Sequence, residues 1–289
     1  MAEKKPVRIC VVKLGALGTS VLLEYLLDER ADRGDIEVRV FTTGSKMFPE
    51  QYGAELAEKV AGEDFDLYIV VSPNATTPGP TKARELLKER GKRVIVISDA
   101  PTARIAKELE EKGFGYIIVQ ADAMIGARRE FLDPVEMALF NSDVIRVLAI
   151  TGAYRALQVE LDKVIDALKK GSEPELPKLI LDKETTVAKY GEFKNPYARA
   201  KAMAAYEIAR RVADLTVEGC FKVKEWERYV PIVAAAHEMM RIAAALADEA
   251  REIEKSNDTV VRTPHAVDGT ILRKEKLIEK PARPSGAAS

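Results

Sequence analysis

The chain of 289 residues is 47% hydrophobic and 31% charged, with a formal net charge of −1. That is enough for a sizeable core, and too balanced to favour nucleic acid or an anionic membrane surface as partner. Two cysteines (Cys10, Cys220) and two histidines (His237, His265) exclude a disulfide framework or zinc cluster. No apolar run approaches the roughly 20 residues that span a bilayer, and the opening MAEKKPVRIC lacks a secretion-signal core, so a cytoplasmic protein with no membrane partner is expected.

Val7–Val12 is apolar and β-branched on nearly every residue and runs into KLGALGTS, residues 13–20, followed by helical patterning over Thr19–Glu29. The alternation recurs with Ile36–Thr42 before Glu50–Val60, Leu67–Ser72 before Thr81–Glu89, Val94–Ser98 before Ala103–Lys112, and then Tyr116–Val119. Strands apolar on nearly every residue, separated by amphipathic helices, predict a doubly wound, mainly parallel α/β sheet covered on both sides. From Pro134 the alternation stops. Helical patterns over Pro134–Lys170, Pro196–Leu215 and Arg228–Lys255 predict a helical bundle lobe, with Lys178–Leu181 as a short strand between them. Two β-like runs around Asp268-Gly269 predict a small C-terminal β-hairpin, and the closing ARPSGAAS predicts a disordered tail. The expected division is a cofactor-binding domain over 1–126, a helical region over 127–256, a β segment over 257–281 and a tail over 282–289.

Ligands of such folds bind beyond the carboxyl ends of the strands. Those ends are KLGALGTS, TTGSKM, SPNATTPGP, SDAPT and QADAMIGARR, each carrying turn-forming and hydrogen-bonding residues. In the first, Lys13 replaces the leading glycine of a nicotinamide fingerprint, while Gly15 and Gly18 remain for backbone approach to phosphate and for helix packing. The start of the following helix offers backbone N–H groups to an anion. The second strand ends in Thr42-Thr43-Gly44-Ser45-Lys46 without the carboxylate that holds a ribose diol. This argues against NAD and leaves NADP, another phosphate-bearing cofactor or an ordinary turn open. Pro73, Pro78, Gly79 and Pro80 in SPNATTPGPTKAREL predict either a stiff loop that preorganises a ring-binding wall or, for Pro80, simply the first turn of the next helix. Asp99 serves either a ligand hydroxyl or the cap of the helix after it. Asp133, Pro134 and Glu136 spell an N-cap, first-turn proline and capping box, which leaves Arg128, Arg129 and Glu130 as candidates for a ligand. His237 lies in an Ala- and Met-rich helix and is expected in the core; His265, in a loop, is the freer of the two. No catalytic triad or carboxylate pair stands out.

The stretches DAMIGARREFLDPVEMA, ERYVPIVAAAHEMMR and EKSNDTVVRTPHAVDG resemble the coenzyme F-420-dependent methylenetetrahydromethanopterin dehydrogenases of methanogenic and related archaea. The resemblance runs from about Val7 to Pro281. That family's first loop reads K-C-G-N-[I/L]-G-T-S; Lys13, Gly15, Gly18, Thr19 and Ser20 match it, while Leu14 and Ala16 depart. The resemblance implies an α/β domain with a helical bundle, a hexamer built as a trimer of dimers, and hydride transfer between a reduced pterin and a dissociable 8-hydroxy-5-deazaflavin, with no metal and no bound flavin. On that premise the coenzyme's phosphate-bearing tail falls to Lys13, Gly15, Gly18, Thr19, Thr43, Ser45 and Lys46, and its ring to Asn74, Pro78 and Asp99. The pterin falls to Arg128, Arg129, Glu130 and His265, with Glu130 stabilising a cationic product and no residue acting as acid or base. An NADP-dependent oxidoreductase of similar fold and a non-enzymatic nucleotide-binding module are the rival readings.

Overall fold

In the computed structural model, which describes residues 5–284, six strands form one parallel sheet in the order β2-β1-β3-β4-β5-β6. They are β1 (Val7–Lys13), β2 (Ile36–Thr42), β3 (Leu67–Ser72), β4 (Val94–Ser98), β5 (Gly115–Val119) and β6 (Lys178–Leu181). Every residue of β3, β4 and β5 is buried, as the lack of polar alternation requires of strands covered on both faces. Successive side chains point to opposite faces, and two cores result. On one face Ile9, Val11, Ile69, Ile95 and Ile117 meet helix α1 (Gly18–Leu27) and the later helices. On the other, Cys10, Val12, Val70, Val96 and Ile118 meet α2 (Glu50–Ala61), α3 (Pro78–Glu89) and α4 (Ala106–Glu111). Here α3 starts at Pro78 rather than Thr81, and a 3-10 turn over Ala100–Ile105 precedes a shorter α4 than the pattern predicts.

The continuous helix expected over Pro134–Lys170 is two helices, α5 (Pro134–Thr151) and α6 (Ala153–Lys169). Gly152 breaks it with φ +107, and a Cβ there would lie 2.6 Å from the Gly191 amide nitrogen; only glycine combines that backbone angle with that approach. Helix α6 returns the chain to Lys178–Leu181, which pairs with β5 in register Ile117↔Leu179. A boundary at 126 therefore does not hold: the sheet takes its last strand from residue 178 onward. Helices α5, α6, α7 (Pro196–Val217) and α8 (Trp226–Ser256) share one continuous apolar core with the sheet. Helix α8 is long and apolar enough to cross a membrane by length and composition, with a mean hydropathy of 1.4 over 18 residues. Its Val233, Ala236, Met240, Ala243 and Ala247 are nonetheless buried.

The predicted C-terminal hairpin is looser than a strand pair. Isolated antiparallel bridges join His265 to Ile271, Arg262 to Lys274 and Arg273 to Ala282. The turn is closed by Gly269 at φ +81. Ala282 is thus paired rather than part of a tail, and residues 285–289 of the predicted tail lie outside the described ones.

Candidate active site

Strand order reverses between β1 and β3, since β1 is followed on one side by β2 and on the other by β3, β4, β5 and β6. In open parallel sheets a crevice opens at such a switch point, beyond the carboxyl ends of the two strands. Lys13, the last residue of β1, sits there half-buried, and the described residues give its amine no carboxylate partner. The loops around it are stitched by backbone bonds: Leu14 N–H to the Val71 carbonyl at 2.9 Å, Gly15 N–H to Gly44 at 3.1 Å and Thr43 N–H to Lys13 at 3.1 Å. Gly15 has φ +86, and a Cβ on it would meet Pro73 Cδ at 2.9 Å, so the first and third loops touch only because glycine stands here.

The second loop turns back on itself. The Gly44 N–H donates to Thr42 Oγ1 at 2.9 Å, and the Thr43 hydroxyl donates to the Lys46 carbonyl, leaving Ser45 and Lys46 exposed. Lys46 Nζ stands 5.5 Å from the Tyr52 ring centroid. Lys13, Gly15, Thr43, Ser45 and Lys46 are thus brought together, as their places at the strand ends require.

Gly18 and Thr19 are not part of that group. Their N–H groups, the free donors at the start of α1, donate to Asp122 at 2.6 and 2.9 Å. Both residues are buried, and a Cβ on Gly18 would lie 2.7 Å from Val144 of α5. The helix N-terminus expected to face a phosphate is already capped by a carboxylate of the chain and roofed by a helix. Burial pushes the Asp122 carboxyl up to about 6, while the bonds from Thr19 and Gly18 hold it down. The sequence carried one signal of this: Leu17 occupies the N-cap position and has no side-chain acceptor, so the cap had to come from elsewhere.

The third loop is fixed from below. Ala75 N–H donates to Ser98 Oγ at 3.2 Å and Thr102 Oγ1 at 3.0 Å, and the Ser98 hydroxyl lies 2.6 Å from the Ser72 carbonyl. Arg84, only 2% exposed, donates to the Ala75 carbonyl and lies in no described ion pair, so a buried cation backs this loop. Asn74 Oδ1 accepts from the Thr76 N–H and hydroxyl at 3.0 and 2.7 Å. Its carbonyl side is therefore engaged in the turn. Pro78 is the exposed first residue of α3, whose fixed φ suits that position. Asp99 is buried and accepts from the Ala100 N–H at 2.5 Å, so it is the helix cap and not a surface for a ligand hydroxyl. Burial, and secondarily the charge of Asp122, raise its carboxyl well above the usual range.

On the loop after β5, Arg128 is committed to structure. Its Nε donates to the Gly219 carbonyl at 2.8 Å and its guanidinium to Val223 at 2.9 Å, and it stacks 4.1 Å from the Tyr229 ring centroid. Arg129 and Glu130 are exposed beside it. A hydrogen bond from Tyr229, with the charges of Arg128 and Arg129, holds the Glu130 carboxyl below the usual range. Asp133 caps α5 through the Glu136 N–H at 2.7 Å, but Glu136 does not reach back to complete a capping box. Its carboxylate instead lies 2.8 Å from His237 Nδ1, in the core as expected for that histidine.

His265 falls at the opposite end of the molecule. It is 3% exposed, with Nδ1 2.7 Å from Glu29 and Nε2 2.6 Å from Asp162. Glu29 follows α1 and Asp35 precedes β2, so this cluster lies at the amino ends of the strands. Asp162 also takes Arg33 at 2.9 Å, and Arg33 and Lys169 both hold Asp35 at 2.8 Å. His265 is therefore not a pterin contact but the clamp of the C-terminal segment; a loop position cannot say which end of a sheet the loop returns to. Burial and the charge of Arg33 disfavour its charged form, but the hydrogen bond and charge of Asp162 and the hydrogen bond of Glu29 outweigh them and raise its pKa. A raised pKa contributes stability that is full below the unfolded value of about 6.5 and is lost as pH rises through the folded one. His265→Gln is expected to cost about 1–3 kcal/mol in denaturant melts at about pH 6 and much less at about pH 9, with turnover preserved. An equal loss at both pH values contradicts the clamp.

Two hollows of about 560 and 580 Å3 also lie beside the C-terminal segment, lined by Lys169 and Asp268 in one and by Gln158 and Pro264 in the other. The carboxyl-edge loops line neither. Among the described residues no group of three or more His, Cys, Asp or Glu is placed to hold a metal ion.

Residues 7–282 match the family model described as methylene-5,6,7,8-tetrahydromethanopterin dehydrogenase. Among curated proteins, the F420-dependent methylenetetrahydromethanopterin dehydrogenase of Archaeoglobus fulgidus is 62% identical, covering 95% of this chain and 99% of its own length. Its namesake from Methanopyrus kandleri is 55% identical, over 93% of this chain and 97% of its own length. Among solved structures, an F420-dependent methylene-tetrahydromethanopterin dehydrogenase in complex with methylene-tetrahydromethanopterin and coenzyme F420 superposes with a TM-score of 0.91. It is 54% identical, over 96% of this chain and 99% of that one.

Proposed function

The chain belongs to the methylene-5,6,7,8-tetrahydromethanopterin dehydrogenase family, and from that premise we infer how its carboxyl edge serves the reaction. It is an oxidoreductase that acts on methylenetetrahydromethanopterin with coenzyme F420. A hydride passes reversibly between the one-carbon bridge of the pterin and the deazaflavin, giving the methenyl pterin and the reduced coenzyme. Both partners carry their own chemistry, so the protein's work is orientation and electrostatics. Holding two reacting groups in a near-attack arrangement lowers a barrier by roughly 7–11 kcal/mol at best.

The half-buried Lys13 at the sheet's switch point, without a carboxylate partner among the described residues, is the observation that carries the reading. Lys13 and the exposed Lys46 offer charge to the coenzyme's phosphate-bearing tail, with Thr43 and Ser45 beside them and Gly15 letting the backbone approach. The loop from Asn74 to Pro78, backed by Arg84, forms the wall for the ring. Across the edge, Arg129 and Glu130 face the pterin, and ionised Glu130 stabilises the cationic methenyl product. The same proposal places the protein in the cytoplasm as a homo-oligomer, a hexamer; Val135, Leu139, Phe221 and Trp226, each more than half exposed, supply apolar surface for such assembly.

The test mixes the purified protein with methylenetetrahydromethanopterin and either coenzyme F420 or NADP. Bleaching of the oxidised deazaflavin absorbance is expected with the first and no reduction with the second. Reduction of NADP alone would overturn the reading in favour of a nicotinamide enzyme, and binding without turnover would make the chain a nucleotide-binding module.

A further inference from the structure

We propose that a small hollow between Arg155 of α6 and Arg251 of α8 is a binding site for a tetrahedral oxyanion such as inorganic phosphate. The hollow holds about 40 Å3, where a water needs roughly 10–15 Å3. It lies where four separate segments meet: the α5–α6 corner at Gly152, the turn at Gly191 and Glu192, the last turns of α8, and the start of the C-terminal segment at Thr259–Val261. None of its lining residues belongs to the carboxyl-edge loops.

Its lining sets two guanidiniums, Arg155 and Arg251, against two carboxylates, Glu192 and Glu254, and the carboxylates are already engaged. Arg155 reaches across and donates to the carbonyls of Tyr190 at 3.0 Å, Gly191 at 3.3 Å and Val261 at 2.9 Å, which leaves its buried Nε with no partner. Arg251, half-buried, has no hydrogen-bond or carboxylate partner among the described residues. Both lining carboxylates are held by other donors. Glu192 lies 2.5 Å from Arg273, against 3.8 Å from Arg155. Glu254 is buried and accepts from the Asn195 N–H at 2.8 Å and from the Thr259 hydroxyl. Arg262, which gives its guanidinium to the carbonyls of Val260 and Glu275 at 3.1 Å each, adds positive charge on the far side. Burial lowers the pKa of both Arg155 and Arg251; Glu192 opposes this on Arg155, as Glu252 and Asp248 do on Arg251, while Arg273 and Arg251 add to it on Arg155 and Arg262 adds to it on Arg251.

Two desolvated guanidiniums that share a hollow repel each other, and a divalent oxyanion between them removes the repulsion. Their planar N–H forks suit its geometry better than an ammonium does. Bound there, the ion fastens the C-terminal segment to α6 and α8, so occupancy appears as stability rather than as turnover.

The experiment follows thermal unfolding of the full chain while millimolar inorganic phosphate replaces chloride at constant ionic strength. The wild type is expected to gain about 2–4 °C. In Arg251→Gln the gain should fall to a quarter or less, with turnover at saturating substrates within twofold of wild type. Arg251→Lys, which keeps the charge and loses the fork, should need about tenfold more phosphate for the same gain. Phosphate also suits Lys13 and Lys46, so Lys13→Ala is the control and should keep the full gain. A gain lost in Lys13→Ala and kept in Arg251→Gln would move the ion to the coenzyme groove and overturn this site without touching the function proposed above. No gain over chloride in the wild type overturns it as well. Phenyl phosphate, too large for 40 Å3, should give no gain; a full one shows that the hollow is not where the ion sits.

Discussion

Asp122→Ala is expected to lower the stability of the chain by about 2–5 kcal/mol, or roughly 4–10 °C in the unfolding midpoint. The carboxylate accepts from both the Gly18 and Thr19 N–H groups, at 2.6 and 2.9 Å, in a place where neither donor reaches solvent. Each buried donor left alone costs about 1–3 kcal/mol, and the negative charge also opposes the positive end of the α1 dipole. Asp122→Asn should cost less than Ala, because one acceptor oxygen survives and only the second donor faces an amide. Calorimetry or a urea melt measures both. A midpoint within 1 °C of wild type in Asp122→Ala would show that α1 needs no such cap. The KM for the coenzyme tests the other side of the argument. Were α1 the phosphate site, removing its internal anion would free two donors and tighten coenzyme binding.

Lys13→Ala should raise the KM for coenzyme F420 by about 10–100-fold, the 1.5–3 kcal/mol ordinarily lost with a hydrogen bond to a charged group. The KM for the pterin should stay within twofold. The separation follows from the sheet. Lys13 ends β1, is flanked by Thr42 and Val71 in the neighbouring strands, and lies away from the loop after β5 that carries Arg129 and Glu130. Lys13→Arg should recover part of the loss, since phosphate accepts from either cation. Steady-state kinetics with each substrate varied in turn decides; equal effects on both constants would refute the assignment.

Much of the edge is legible in the sequence. A polar loop such as Thr43–Lys46 must stand at the end of its strand, because the apolar positions that alternate along Ile36–Thr42 stop there and the chain has to leave the sheet. The same reasoning places Lys13, Gly15 and Asn74. It fails for Gly18 and Thr19, which sit in the right loop but beneath Val144 and Leu148 of a helix more than 120 residues further on. It fails for Arg128 and His265 for a related reason. The partners of Arg128 are the carbonyls of Gly219 and Val223, and those of His265 are Glu29 and Asp162. No local spacing records contacts across 91 to 236 residues.

What the sequence by itself determined is the class of fold, the strand and helix alternation, the edge on which ligands bind and, through three long matching stretches, the family. These rest on periodicity and on strings of neighbouring residues, which act over a few positions at a time. The tertiary structure alone decided that β6 completes the sheet, that α5 roofs the start of α1, and that Asp122 caps it. It also decided which end of the sheet receives His265. A buried polar group must find a partner wherever the packed chain offers one, and its choice between a ligand and a distant residue is made only when the core closes.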